Sequence, residues 1–268
     1  MALVSWWMGQ KAGVFNMSIP YISIVASAIN IDKWMKYYDS LTLENDIPFE
    51  VVMVGPVRPG YVLPSNMKHI YSETKPPQCW EIGARSSSGE YIMPTADDIT
   101  VSPQFLNKVC QHIENMDSDK YFVGCRYICD GENMDRLMFY NWKRKNSPPN
   151  SLNPSIKREW WEQIGGIDKN FIGVYWDIDL HMKLYGIGKE LFMAQDCIVY
   201  EDRGNRSSDW LCDACAKIDR DFLDSCWVKS KKEYYQNRAV AVESFSDENI
   251  VLQNQGRHKE WDDIKNNK

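Results

Sequence analysis

No apolar run in this sequence is long enough to cross a membrane. The most apolar early stretch, residues 19–31, falls short of the roughly 20 residues a span needs and contains Pro20, Ser23, Ser27 and Asn30. There is no basic block either. Against 31 Lys and Arg stand 37 Asp and Glu, for a net charge of -6. Without clustered cations to neutralise phosphates, nucleic acid is excluded as a partner. The first residues, Met1-Ala2-Leu3-Val4-Ser5-Trp6-Trp7, lack the basic flank and small-residue cleavage pattern of a secretory leader. The expected location is therefore cytoplasmic, a peripheral position at a membrane included, and the 8 cysteines are expected as reduced thiols. Internal repeats and low-complexity blocks are also missing.

What is present is an ordinary globular composition, 44% hydrophobic and 25% charged over 268 residues. That supports one large α/β domain, with or without a small appendage. Two cysteine pairs, Cys125 with Cys129 and Cys212 with Cys215, are close enough in sequence to raise a structural zinc. They fall in segments that read as strand and helix, whereas zinc knuckles sit on tight turns, so buried free thiols are the expectation.

Residues 21–26 (YISIVA) form a β-rich apolar run, followed by one-sided helical spacing at Ile31, Trp34, Met35, Tyr38 and Leu41. Residues 49–54 (FEVVMV) are a second buried strand, ended by Gly55-Pro56. This order predicts a βαβ unit in a parallel sheet. Residues 55–78 contain Pro56, Pro59, Pro64, Pro76 and Pro77 and read as a connection with one short strand near His69. A helix is expected over 79–88 and a strand over 90–93, which delivers Thr95-Ala96-Asp97-Asp98 at its carboxyl end. Ser102-Pro103 reads as the start of a helix. Strands are expected over 121–128, 137–142 and 191–200. Helices are expected from Ser155 to the Gly165-Gly166 pair, over 177–185, and from Ser207 to about Ser230. The final twenty residues are polar and expected to be frayed.

Ligands of open α/β sheets bind beyond the carboxyl ends of the strands. Three such ends are visible: Ala26-Ser27-Ala28, Gly55-Pro56 and Thr95 to Asp98. Adjacent carboxylates repel unless a cation lies between them, and a hard divalent ion needs one or two carboxylates plus phosphate oxygens. Taken alone, Asp97 and Asp98 read more readily as caps of the helix beginning near Ser102, or as solvated charges, than as metal ligands.

Their context adds a family. Residues 83–98 (GARSSSGEYIMPTADD) resemble the central signature of the family-2 glycosyltransferases, in which a helix and a Gly-Glu-Tyr-Ile strand lead into an acidic metal motif. Residues 158–171 (REWWEQIGGIDKNF) resemble that family's acceptor-side helix with its Gly-Gly-Phe-Asp ending. Trp176-Asp177-Ile178-Asp179-Leu180 stands where the family has Glu-Asp-x-Asp-Leu. The resemblance covers roughly residues 20–205. It implies a GT-A type α/β fold, with a mostly parallel Rossmann-like nucleotide-binding sheet, an acceptor-binding half and C-terminal helices. The implied domain runs over 18–230, with a nucleotide-sugar half at 18–100, an acceptor half at 101–205, and a helical or disordered extension at 231–268.

The implied reaction is inverting transfer from a nucleotide-diphospho-sugar, a UDP-sugar being slightly favoured, to a glycan, lipid-linked or protein hydroxyl. Mn²⁺ or Mg²⁺ would neutralise the leaving diphosphate, and a carboxylate base would take the acceptor proton. By the match, Asp177 is the base and Asp97, with Asp98 beside it, the metal carboxylate. Where the family often places a further His ligand, Glu201 is expected to substitute, with Asp202 as the alternative. Ala26, Ser27, Ala28, Gly55, Pro56, Arg85, Thr95, Ala96 and Asp97 line the donor site, and Trp176 faces the acceptor. Asp179, two residues beyond the base, points elsewhere on a helix and is expected to serve structure.

The sequence also departs from the family. Ser27-Ala28-Ile29-Asn30 keeps only the Asn of the usual Pro-Thr-Tyr-Asn, Gly55-Pro56-Val57 replaces Asp-Asp-Gly, Thr95 replaces the first metal-motif Asp, and Glu81 replaces a helix Asn. A catalytically silent nucleotide- or sugar-binding module is the alternative. A sugar nucleotidyltransferase ranks last, because Ser27-Ala28-Ile29-Asn30 is neither glycine-rich nor basic.

Overall fold

The computed structural model describes residues 20–134, 150–204, 209–229 and 235–267. The strand expected over 137–142 and the start of the helix expected at Ser207 lie outside them. The elements in chain order are β1 (Ile22–Ser27), α1 (Trp34–Thr42), β2 (Phe49–Gly55), β3 (Met67–Tyr71), α2 (Pro76–Arg85), β4 (Tyr91–Ala96), β5 (Ile99–Val101), α3 (Phe105–Asn115), β6 (Tyr121–Cys129), β7 (Glu132–Asn133), β8 (Ile156–Lys157), α4 (Arg158–Gln163), α5 (Trp176–Gly186), β9 (Glu190–Glu201), α6 (Asp209–Cys226), β10 (Trp227–Lys229), β11 (Tyr235–Arg238) and α7 (His258–Asn266).

The main sheet has the order β3-β2-β1-β4-β8, with the first four strands parallel and β8 antiparallel on the edge. Its central strands read as continuous apolar runs because both faces are covered. Ile22, Ile24, Val51, Met53 and Met93 pack on one side with α1 and α3. Val25, Val52, Val54 and Ile92 pack on the other with α2, α4 and α5. A second sheet, β5-β9-β6-β7, continues from the first, since β5 follows β4 after only Asp97 and Asp98. No described helix is long and apolar enough to cross a membrane.

Three local readings differ. Pro76 and Pro77 start α2 three residues earlier than expected, occupying the first-turn positions whose N–H groups have no helical partner. Residues 155–157 enter as strand, not helix: Ile156 and Lys157 pair with Ile92 and Tyr91 before α4 begins. The polar end is ordered instead of frayed. Residues 239–257 lie along α2, where Gln78 donates to the carbonyls of Ile250 and Gln253, and Lys75 Nζ donates to those of Gly256 and Lys169.

Candidate active site

The register of the parallel strands sets Ala26 beside Thr95, Ser27 beside Ala96, and Ser27 beside Val54. The three strand ends therefore form one edge. Ala28 N–H donates to the Val54 carbonyl, and a Cβ on Gly55 would lie 1.9 Å from the Ala28 oxygen. Glycine is required there because the loop after β1 crosses the end of β2 at backbone contact distance. Pro56 is exposed just beyond.

Asp97 organises this edge. Its buried carboxylate accepts four hydrogen bonds: Oδ2 from Ile29 N (2.7 Å), Asn30 N (2.5 Å) and Trp34 Nε1 (2.8 Å), and Oδ1 from Asn30 Nδ2 (2.8 Å). Burial raises its proton affinity against the opposing pull of those donors. Asp98 sits 4.0 Å from Lys33 Nζ at the start of α1. Glu201 reaches the same edge through the β5–β9 ladder, where it pairs with Ile99, and Arg203 Nε approaches its carboxylate to 3.9 Å.

Two bridges bring the start of α5 to the end of β4. In the first, Trp80 Nε1 donates to the Thr95 carbonyl at 2.7 Å, and its ring stacks on Trp176 with centroids 4.5 Å apart. Trp176 thus gives one face to Trp80 and is itself buried. In the second, the Thr95 hydroxyl donates to Asn153 Oδ1 at 2.8 Å and lies 3.3 Å from the Tyr37 hydroxyl. Asn153 N bonds Ser151 Oγ, and Ser151 N–H donates to His181 Nε2 at 3.1 Å. Because Nε2 accepts, Nδ1 carries the proton and donates to the Asp177 carbonyl at 2.7 Å. Burial lowers the His181 pKa to about 4, so the ring stays neutral and keeps this polarity.

Asp177 occupies the first turn of α5. The residue keeps an edge at the surface, but protein surrounds its carboxyl. Desolvation raises its pKa to about 6, while backbone N–H groups of Ile178 and Asp177 itself pull the other way. The loop ahead of it is fixed by Asp219 on α6, whose carboxylate accepts from the N–H groups of Ile172, Gly173 and Val174 at 2.8–2.9 Å. Tyr175 then takes a left-handed backbone (φ 64°) that turns the chain into the helix. Asp179 faces away, into a buried cluster with Trp227 Nε1, Arg238 Nε and Lys183 Nζ.

Arg85 is not brought to this edge. It ends α2 at the opposite, amino-terminal end of β4, bonded to Glu81, to the Phe245 carbonyl and to Asp247. A cavity of about 410 Å³ opens there, lined by Glu81, Arg85, Arg158, Trp161, Gly166 and Phe245. Its arginines are already bonded to carbonyls and carboxylates, so it is remote from the carboxylates of the strand ends in both place and chemistry. Cys125 and Cys129 lie in the core around β6, and Cys215 packs in a separate cluster with Ile172 and Trp261, so the two sequence pairs do not converge.

No protein-family model matches the chain, and no curated protein does. Solved structures do. The chain matches S. aureus TarS residues 1–349 with a TM-score of 0.54 at 16% identity, over 68% of this chain and 60% of that one. It matches a mannosyltransferase from Pyrobaculum calidifontis, solved with GDP-Man and Mn²⁺, with a TM-score of 0.53 at 17% identity, over 81% of this chain and 68% of that one. GalNAc-T7, solved with UDP, GalNAc and Mn²⁺, gives 0.50 at 14% identity, over 69% and 44%. The fold is that of the GT-A glycosyltransferases.

Within this GT-A fold the strand-end edge and the start of α5 face one another. Sequence reasoning passed over Trp80, Asn153, His181 and Asp219, which join or brace the two. Asp219 had a signal, an acid on the apolar stripe of an amphipathic helix. Asn153 had none, sitting in a loop whose path depends on distant partners. Glu81, noted only as a departure, ties α2 to the Gly165-Gly166 turn by accepting from Trp161 Nε1 and Ile167 N. A Cβ on Gly166 (φ 63°) would strike its carboxylate.

Proposed function

We propose that the chain is an inverting glycosyltransferase that moves a sugar from a nucleotide-diphospho-sugar to a hydroxyl acceptor, with Asp177 as general base. The observation that carries this reading is the placement of Asp177. It stands across from the β4 end, held by the Trp80–Trp176 stack and the His181–Ser151–Asn153–Thr95 relay, with a pKa of about 6. At neutral pH such a carboxylate is ionised yet retains more proton affinity than a solvated one, as abstraction from an attacking hydroxyl needs. In this reading residues 18–100 hold the donor and 101–205 the acceptor. Ala26 to Ala28, Gly55, Pro56, Thr95 and Ala96 line the donor edge with backbone and small side chains.

Asp97 Oδ2 already accepts three N–H bonds, which leaves that oxygen without capacity for a cation. In this reading Mn²⁺ or Mg²⁺ is held by Asp98, by the Oδ1 of Asp97, which accepts only one bond, and by Glu201 on the adjoining ladder, while Asp97 Oδ2 holds the loop that shapes the edge. When bound, the ion supplies positive charge to the leaving diphosphate. Trp176 contributes by fixing the acceptor side through Trp80. Arg85, at the far end of β4, has no part in phosphate binding. A UDP-sugar donor is kept as the first to try; TarS has been solved with UDP-GlcNAc and the Pyrobaculum enzyme with GDP-Man.

A second reading, a silent nucleotide- or sugar-binding module, draws on the commitment of Asp97 and Thr95 to internal bonds. A panel of nucleotide sugars, assayed for Mn²⁺-dependent hydrolysis and transfer, separates the two. The expected result is turnover with one donor that falls about 10²- to 10⁴-fold in Asp177→Asn. Turnover unchanged by that substitution overturns the base assignment, and donor binding without turnover selects the silent module.

A further inference from the structure

β9 contains an irregularity that the donor and acceptor sites do not use. Its register against β6 jumps between neighbouring pairs: Cys125 faces Ala194, but Arg126 faces Ile198. Gln195, Asp196 and Cys197 are thus extruded from the ladder. Bulges of this kind re-aim side chains. Here Asp196 turns to α3, where its Oδ1 lies 2.7 Å from His112 Nε2, and Cys197 Sγ lies 4.0 Å from the same oxygen. One ligand atom from each of the three residues falls within 4.8 Å of the others, and among the described residues no other His, Cys, Asp and Glu group does this.

We infer that His112, Asp196 and Cys197 form a zinc site that clamps α3 to the β9 bulge. Ligand atoms of a tetrahedral zinc stand roughly 3.3–3.8 Å apart, as follows from Zn–N and Zn–S lengths of about 2.0–2.3 Å. Small rotations reach this by opening the His–Asp pair and closing the Cys–Asp gap. A mixed nitrogen, oxygen and sulfur set favours a borderline ion such as Zn²⁺ over Mn²⁺ or Mg²⁺. Asp196 is largely exposed and His112 partly so, which gives an ion a path from solvent, while Cys197 closes the site from the core. The fourth position is open to water. Binding replaces the Cys197 thiol hydrogen by the metal and releases that proton to buffer. The nearest lysine on α3, Lys108, is drawn to the Pro103 carbonyl at 3.1 Å.

Co²⁺ reports thiolate ligation by a near-ultraviolet charge-transfer band, and Zn²⁺ competition against a chromophoric chelator gives affinity. The full chain is expected to bind one Zn²⁺ here and to show the Co²⁺ band. Cys197→Ser should abolish the band, and His112→Ala should weaken Zn²⁺ binding by about tenfold or more, at least the loss seen when a supporting residue of a metal site is removed. Cys212→Ser, at the exposed cysteine, should leave both unchanged. His112 and Asp196 lie at the surface, so the fold tolerates His112→Ala and that variant stays informative if Cys197→Ser does not fold. A band that persists in Cys197→Ser, one lost in Cys212→Ser instead, or Zn²⁺ affinity unchanged in His112→Ala overturns the site.

Discussion

Asp97 and Asp177 are both acids enclosed near the carboxyl end of β4, and the chain surrounds them differently. Asp97 is met by four N–H donors from the loop after β1 and from Trp34. Asp177 has only the backbone N–H groups at the start of its own helix; desolvation raises the proton affinity of both carboxyls, at Asp97 against the pull of its four donors. A carboxylate supplied with donors becomes a joint between segments. One deprived of them stores proton affinity, which is what catalysis can use. On the proposed function, the same residue type is structural at Asp97 and serves as the base at Asp177.

The comparison is broken most severely at Asp97. Asp97→Ala leaves four donors facing a void, and urea denaturation should show a loss of about 3–5 kcal/mol. A loss under about 1 kcal/mol would mean that the loop is held by something else.

The next effect is opposite in sign. The folded pKa of Asp177, about 6, lies above its usual 3.8, so the proton favours the folded state. That contribution is complete below about pH 4 and is lost as pH rises through 6. Asp177→Asn should therefore stabilise the protein at pH 7, by up to about 3 kcal/mol for a shift of about two units, and leave it nearly unchanged at pH 4. Equal effects at both values would show that Asp177 titrates normally.

The same ionisation sets a smaller effect on rate. Transfer should rise with pH to a plateau above about 6, with half of its maximum near that value. A flat profile between pH 5 and 7 removes Asp177 as base. The smallest effect is at the far end of β4. Arg85→Ala should cost about 1 kcal/mol through its partly exposed contacts with the 245–247 segment, while donor affinity stays within twofold. A donor affinity that falls with it would return Arg85 to the phosphate.

Much of the frame is legible in the sequence because its signals are local. The runs at 21–26 and 49–54 are apolar on both faces, and Gly55 and the Gly165-Gly166 pair mark turns that side chains cannot make. Asp97 and Asp177 stand out by position. Their division of labour is not legible, since it depends on Asn30 and Trp34 folding back over 60 residues to reach one acid and leaving the other. Arg85 was misplaced for a related reason. A helix antiparallel to its strands carries its last residue away from the strand ends, and a linear motif does not show direction. The final twenty residues read as a polar tail because the contacts that hold their first part to α2 are mainly backbone carbonyls received by Lys75 and Gln78, and composition is blind to those.

That strap has a consequence for how the chain is made. Its partners on α2 lie 160 to 181 residues earlier in sequence. At about 5–20 residues per second of synthesis, α2 waits roughly ten to forty seconds for the segment that covers it. During that interval Gln78, whose partners all lie in that segment, has only water to bond, whereas Lys75 gains the Lys169 carbonyl earlier.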